Sequence, residues 1–362
     1  MKYINQLEPD GLIENFLTNP PNNFNAWLAE GGVPVFSAKF DLLTTADSDF
    51  RQKIQKIPFY TKWSKLLQPK TCFIGTTVSE YSLLTNIVKA DLLANQIKQQ
   101  YAKDFPFLIV KDIPQNSPLQ SQQANDYSQA FIKALKSNGF IEIEGQALAW
   151  VPVDYENIDD YLSKFSASRR KDFRRKLKLR EKIDINVLQG GDECFFEQSI
   201  LDTYYQLYLN VYEQSEVHFD LLTKAFFTQL LQDKQTGTKI FTYHHQNELI
   251  GYNICFVVND MLVDKYIGLV YPAARDFNLY YISWFHNLEY AKQNGLKYYI
   301  AGWTDPQVKA SLGAQFSFTQ HMVYIRNPLL RAILRKLSSR FESDRTWRDS
   351  HTNINNKEGK HV

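Results

Sequence analysis

From Lys239 to Tyr271 the chain reads "KIFTYHHQNELIGYNICFVVNDMLVDKYIGLVY", with apolar residues recurring at every second position. Period two is the side-chain alternation of a strand. Polar pairs at Gln246–Asn247 and Asn259–Asp260 fall where tight turns belong, so the segment predicts three antiparallel strands. Ile250, Tyr252, Ile254, Phe256 and Val258 are assigned to one face. The period then changes. In "LYYISWFHNLEYAKQNG" (279–295), Tyr281, Trp284, Phe285 and Leu288 form one helical face, and Gly295 closes the helix. "LKYYIAGW" (296–303) predicts a strand, and "DPQVKASLG" (305–313) a short helix opened by Asp and Pro. "AQFSFTQHMVYIRN" (314–327) predicts a strand pair or one long strand.

The first half alternates strand and helix signals. Strands are predicted at 33–43, 105–110 and 140–153 (the last a strand or hairpin), and helices at 83–102 and 121–139, the latter ending on a glycine. A helix from near Asn157 carries Tyr161, Phe165, Phe173 and Leu177 at multiples of four, hence on one face. A strand at 183–189 and helices at 193–214 and 221–233 lead into the three-strand segment.

The helix after Asn157 contains "SASRRKDFRRKLKLREK" (166–182), with nine basic residues and two acidic ones. The whole chain has a formal charge of only +2, so the run is local and does not mark a generally basic nucleic-acid binder. A nucleic-acid clamp, a membrane-facing surface, one wall of an anion site and a merely solvated face all fit it. "IRNPLLRAILRKLSSRF" (325–341) sets Leu329, Leu330, Ile333, Leu334 and Leu337 against Arg331, Arg335, Lys336 and Arg340. Such a helix docks on its own domain or lies on an anionic membrane, contacting it through 328–341.

At 362 residues and 44% hydrophobic content, the chain is expected to build two domains with substantial cores. Its 21 Tyr and 25 Phe suit large cores or aromatic-lined grooves. Cys72, Cys194 and Cys255 are far apart and odd in number, which points away from a disulfide framework or a zinc ribbon. His244 and His245 are strand neighbours facing opposite ways, and His218, His286 and His321 have no ligand spacing, so no metal is expected. The start lacks a signal-peptide pattern, and no apolar run reaches membrane-span length. The expectation is a cytoplasmic protein, with peripheral contact at the inner membrane face as the variant reading.

Three strands, a helix, a strand, a short helix and a further strand is the element order of the GNAT acyltransferases. "SASRRKDFRRKLK", "NLYYISWFHNLEYAKQNGLKYYIAGW" and "QVKASLGAQFSF" are similar to phrases of the FemAB-like branch, best over about residues 155–330. The resemblance implies an α+β fold with a mixed sheet flanked by helices, in two tandem GNAT-like halves. The division expected is a diverged half at 1–154, a basic interdomain helix and strand at 155–192, a catalytic half at 193–341 and a polar tail at 342–362. The implied activity is transfer of an acyl group from acyl-CoA or acetyl-CoA to an amine of a small molecule or envelope precursor, by direct attack. An aminoacyl-tRNA donor and a non-catalytic GNAT-like binding module at a membrane are the alternatives.

By the resemblance, Ile267, Gly268 and Leu269 present backbone to the donor; for Gly268 the competing reading is a packing gap. The loop "YPAARDFNLY" departs from the family's glycine-rich phosphate cradle, leaving Arg275 and a helix start at Asn278 to meet the donor. Asp264 and Lys265 interrupt an apolar strand, and Asp264 is the candidate base. Trp303, a candidate substrate contact, and Asp305, a second candidate catalytic carboxylate, end the following strand, where Asp305 also fits an N-cap. Lys309 is a donor contact or a solvated helix lysine. Arg169, Arg170 and Arg174 are the candidate substrate contacts of the basic run.

Overall fold

The computed structural model describes residues 2–43, 52–54, 56–60, 64–215 and 218–337. The polar tail and residues 338–341 of the basic C-terminal segment lie outside them, as does the side chain of Leu337.

One mixed sheet runs through the molecule. Its strands are β1 (Asn25–Leu28), β2 (Pro34–Lys39), β3 (Lys70–Ile74), β4 (Phe107–Pro114), β5 (Ile141–Pro152), β6 (Asp184–Gln189), β7 (Thr238–His245), β8 (Glu248–Val258), β9 (Met261–Leu269), β10 (Tyr298–Gly302) and β11 (Gln315–Ile325). Their order is β1-β2-β3-β4-β11-β5-β10-β9-β8-β7-β6. The centre is an exchange. The last strand, β11, enters between β4 and β5, while β5 pairs with β10. Reading inward, β2-β3-β4-β11 mirrors β8-β9-β10-β5, and in each set the only parallel pair is the helix-connected one, β3/β4 or β9/β10. This is the α+β, GNAT-like architecture, built twice with its inner strands traded.

Among the described residues the helices include α1 (Asp10–Thr18), α2 (Ala90–Tyr101), α3 (Gln122–Ser137), α4 (Ile158–Ser163), α5 (Ala167–Leu177), α6 (Gln198–Gln214), α7 (Lys224–Gln232), α8 (Ala273–Asp276), α9 (Leu279–Gln293), α10 (Pro306–Ser311) and α11 (Pro328–Leu337). On one sheet face a single core spans both halves, from Phe36 and Phe73 to Tyr252 and Ile254, with α1, α6 and α7 packed on it. On the other face two separate cores form, one beneath α2 and α3 and one beneath α9, α5 and α4.

Several elements differ from expectation. The helix expected over 83–102 begins only at Ala90, because the N-terminal segment claims the backbone of Leu84: its N–H donates to Asn5 Oδ1 and its carbonyl accepts from Ile4. The basic helix is broken. Ser166 caps a new start, accepting from the Arg169 N–H, so α4 and α5 are separate. Their aromatic face survives the break, since Phe165 lies 5.5 Å from Tyr161 and 5.3 Å from Phe173, ring centre to ring centre. The helix expected at 193 starts as a 3-10 turn, and its α-helical part begins at Gln198. Residues 140–153 and 314–327 each form one long strand. The three-strand meander is as expected, with Gln246 and Asn247 in the left-handed region that a tight hairpin needs (φ 53° and 66°). Ile250 leaves its expected face. Gly251 pairs with Tyr243 and Leu249 with His244, so Ile250 is the extra residue of a bulge and points into the α9 core.

Candidate active site

β9 and β10 run parallel and pair only through Met261–Val263 and Tyr298–Ile300. Beyond Val263, β9 continues to Leu269 with β8 on one side only, and residues 264–267 are half-buried in the opening. A backbone edge without a strand partner carries N–H groups able to receive a carbonyl oxygen.

Asp264 and Lys265 stand at the apex of this opening and point to opposite faces, as strand neighbours do. Asp264 faces α9. Its Oδ2 accepts from Tyr299 Oη at 2.9 Å and Asn287 Nδ2 at 3.0 Å, and its Oδ1 faces Asn253 Nδ2 at 3.4 Å. Burial raises its carboxyl above the usual range, against the lowering effect of Tyr299 and Asn253. Lys265 is the extra residue of a β-bulge and faces the shared core. There it meets Glu80 at 2.6 Å and Glu8 at 3.5 Å, both buried and both from the first half of the chain. Burial lifts Glu8 to about 7, while Lys265 pulls the other way. For Lys265, burial would lower the ammonium, but the two carboxylates outweigh it and the net shift is upward.

Lys309, on α10, is buried, and its Nζ donates to the Ala301 carbonyl at 2.6 Å. A Cβ added to Gly302 would stand 3.8 Å from Lys309 Nζ and 3.9 Å from the Asp264 carbonyl oxygen. The amine and the first unpaired residue of β9 therefore flank the same glycine. Burial pushes the Lys309 ammonium down to about 8, opposed by the negative charge of Asp264. α10 is held from behind, because Tyr161 Oη donates to the Leu312 carbonyl and Phe165 packs on Gly313.

The other predicted residues fall into four groups. Trp303 reaches the shared-core side, where Lys111 Nζ lies 5.1 Å from its ring centre. Asp305 occupies the cap position of α10, but its side chain makes no cap bond, and its backbone is left-handed (φ 53°). Gly268 is crowded, since a Cβ there would lie 2.3 Å from Tyr252 Cε1, while Ile267 and Leu269 turn into the α9 core. Arg275 donates to Gln214 at 2.6 Å and covers Tyr271, and Asn278 starts α9 in the left-handed region without capping it. The basic run lies apart from these. α5 docks on α9 through Phe173 against Phe285, leaving Arg169 exposed, Arg174 paired with Asp159 at 2.9 Å and Arg170 donating to the Phe165 carbonyl at 2.7 Å. Among the described residues, no three potential metal ligands cluster, and no helix is long and apolar enough to cross a membrane.

Four residues of this site carry no prediction from the sequence: Glu8, Glu80, Asn253 and Asn287. Asn253 was the accessible one, as a polar residue inside the apolar run 250–258.

A twice-built mixed sheet that opens between parallel strands, with a buried amine beside the opening, defines a protein of GNAT-like fold. The chain belongs to the FemAB-like family, whose model, described as peptidoglycan biosynthesis/recognition, matches residues 87–356. Its fold is shared with solved structures at low identity. L-PGS from Bacillus licheniformis is 10% identical, with 92% of this chain and 97% of that chain covered, at a TM-score of 0.53. The C-terminal domain of a putative lysylphosphatidylglycerol synthetase from Agrobacterium fabrum is 9% identical, with 93% of each chain covered, at 0.54. FemX is 14% identical, with 91% of this chain and 94% of that chain covered, at 0.51. No curated protein matches by sequence.

Proposed function

We propose that the protein transfers an activated acyl group to an amine of a cell-envelope precursor, in the opening between β9 and β10. The observation that carries this reading is the buried Lys309 amine beside Gly302 and the unpaired edge of β9. The acceptor nitrogen attacks the donor carbonyl carbon. The new N–C bond forms as the carbonyl oxygen gains charge against the backbone N–H groups of the open β9 edge beside Gly302, next to Lys309. The C–S bond of an acyl thioester such as acyl-CoA, or the C–O bond of an ester, then breaks. Lys309 in its neutral form takes the proton released by nitrogen and returns it to the leaving sulfur or oxygen. A group held at about 8 populates both forms near neutral pH, as a proton carrier must. Asp264, its oxygens occupied by Asn253, Asn287 and Tyr299, acts as a positioning residue whose charge steadies the lysine ammonium.

The family description supports a peptidoglycan-related acceptor, and with it a second reading in which aminoacyl-tRNA is the donor. The exposed cationic side of α5 favours that donor. A tRNA complex, which neutralises many phosphates, would weaken more steeply with salt than an acyl-CoA complex, which neutralises few.

The test is mass-spectrometric detection of N-acylated product from amine-bearing peptidoglycan precursors and an acyl-CoA panel. Lys309→Met should lower turnover by about 10²–10⁴-fold and remove a pH–rate limb near 8, with the melting temperature retained. Turnover by Lys309→Met equal to wild type would sink the proposed chemistry.

A further inference from the structure

On the shared-core face, a channel of about 300 Å³ runs along the first half of the sheet, and none of its described lining residues comes from α6 or α7. Strand register orders its wall. Phe107 lies opposite Ile325, Ile109 opposite Val323, and the bulged pair Lys111–Asp112 opposite His321. The first two levels are apolar, and α11, following directly on Ile325, closes over that end with Leu330, Ile333 and Leu334. The third level is polar. It gathers Lys111, Asp112, Gln146 and His321, with Trp303 arriving from the end of β10.

Charges at the polar end cancel. Lys111 is ion-paired with Asp112 and donates to the Thr76 carbonyl at 2.8 Å, and burial lowers His321 so that the ring stays neutral. Two polar atoms there are buried without a hydrogen-bond partner: Trp303 Nε1 and Oδ1 of Asp112, whose side chain is only 2% exposed. Buried polar atoms are seldom left unsatisfied. A long apolar bore ending in a polar cap of no net charge, with an unused N–H donor at Trp303, fits an aliphatic chain with a neutral carbonyl head.

We propose that this channel holds the chain of a long-chain acyl thioester or ester. The tail lies under α11 and the carbonyl head beside Trp303, two residues from the Ala301 carbonyl that holds Lys309. The inference deepens the acyl-transfer reading by naming the substrate's apolar part, and chain binding is measured without turnover, so either can fail alone. It also gives Leu330 and Ile333 a role despite their being about half exposed: they form the outer side of the channel.

The probes are S-acyl-N-acetylcysteamine thioesters of increasing length, the matching fatty acids, and phosphatidylcholine vesicles, each titrated calorimetrically into the full chain. Affinity for thioesters should rise by about fourfold per methylene until the bore is full and then level off. The thioester should also bind more tightly than the charged acid of equal length. Ile109→Phe and Val323→Phe narrow the middle of the bore and should shift the plateau to shorter chains. Trp303→Phe keeps the shape, removes the N–H, and should weaken thioester binding by about two- to tenfold. Binding to free thioesters identifies a soluble donor, and binding seen only with vesicles identifies a lipid. Failure of every chain length in both forms, or a plateau that neither narrowing variant moves while both remain folded, overturns the proposal. If the narrowing variants do not fold, unchanged thioester binding by Trp303→Phe overturns it instead.

Discussion

Lys265→Met is the substitution that most directly probes how the two halves are joined. The lysine side chain is 8% exposed, and its partners Glu80 and Glu8 are 4% and 0% exposed, at 2.6 Å and 3.5 Å. Methionine keeps most of the volume, so the change is chiefly electrostatic. Two buried carboxylates are left without the ammonium they are paired with. Removing one member of a buried pair costs about 3–5 kcal/mol, well above the ~1 kcal/mol ceiling of an exposed pair. The loss should depend on pH with a definite sign. Glu8 is already raised to about 7 by burial, so the folded state keeps a proton that the unfolded state releases at lower pH. Stability on that account falls as pH rises from the unfolded value through the folded one. Without Lys265 the upward shift grows and the fall steepens. Denaturant unfolding at about pH 8 and about pH 5 reads both numbers, and the deficit should be larger at the higher pH. A deficit below ~1 kcal/mol at the higher pH, or one that does not shrink on acidification, would refute the view that this triad is a desolvated link between the halves.

Gly268→Ala forces a Cβ to 2.3 Å from the Tyr252 ring and 2.9 Å from Leu207 Cβ. Tyr252 is anchored to the Tyr204 carbonyl at 2.8 Å, so overpacking should cost about 1–3 kcal/mol in a melt; a neutral result would remove packing as the reason for glycine. His286 has neither ring nitrogen partnered, and burial lowers it to about 4. Its depressed value gives stability that is complete above the unfolded value near 6.5 and lost as pH falls toward 4. His286→Phe should therefore flatten the acid limb of the stability curve, by up to about 3 kcal/mol. Arg169→Ala and Arg174→Ala alter an exposed face and should leave stability within ~1 kcal/mol while weakening donor binding in a titration. Unchanged binding in both would return α5 to a solvated surface.

Local periodicity made the C-terminal half legible: the meander, α9, β10 and α10 are all present in the pattern of apolar residues. The interrupting pair Asp264–Lys265 was legible for the same reason, since charge inside an apolar strand demands a partner. The partners were not. Glu8 and Glu80 are brought in by tertiary packing from a distant part of the chain, and no local pattern encodes that. The pair Lys111–Asp112 interrupts "FLIVKDIP" in the same manner, but the predicted strand at 105–110 stops one residue short of it. Strand exchange was likewise invisible. Alternation tells which face of β5 and β11 is buried, but not which neighbour each will choose. The break at Ser166 carries an N-cap residue that the continuous spacing of aromatic residues overrode.

The exchange has a bearing on how the chain is made. β4 and β5 are synthesised early, yet the strand between them emerges roughly 160 residues after β5 is complete. At ribosomal elongation rates that delay is on the order of ten seconds. Through it the first half has an open seam, with Phe107 and Ile109 lacking their partners Ile325 and Val323. The nascent chain must wait, or be held by a chaperone, until its last strand arrives. Truncation before β11 should therefore damage the amino-terminal half, although the missing residues belong to the other end of the chain.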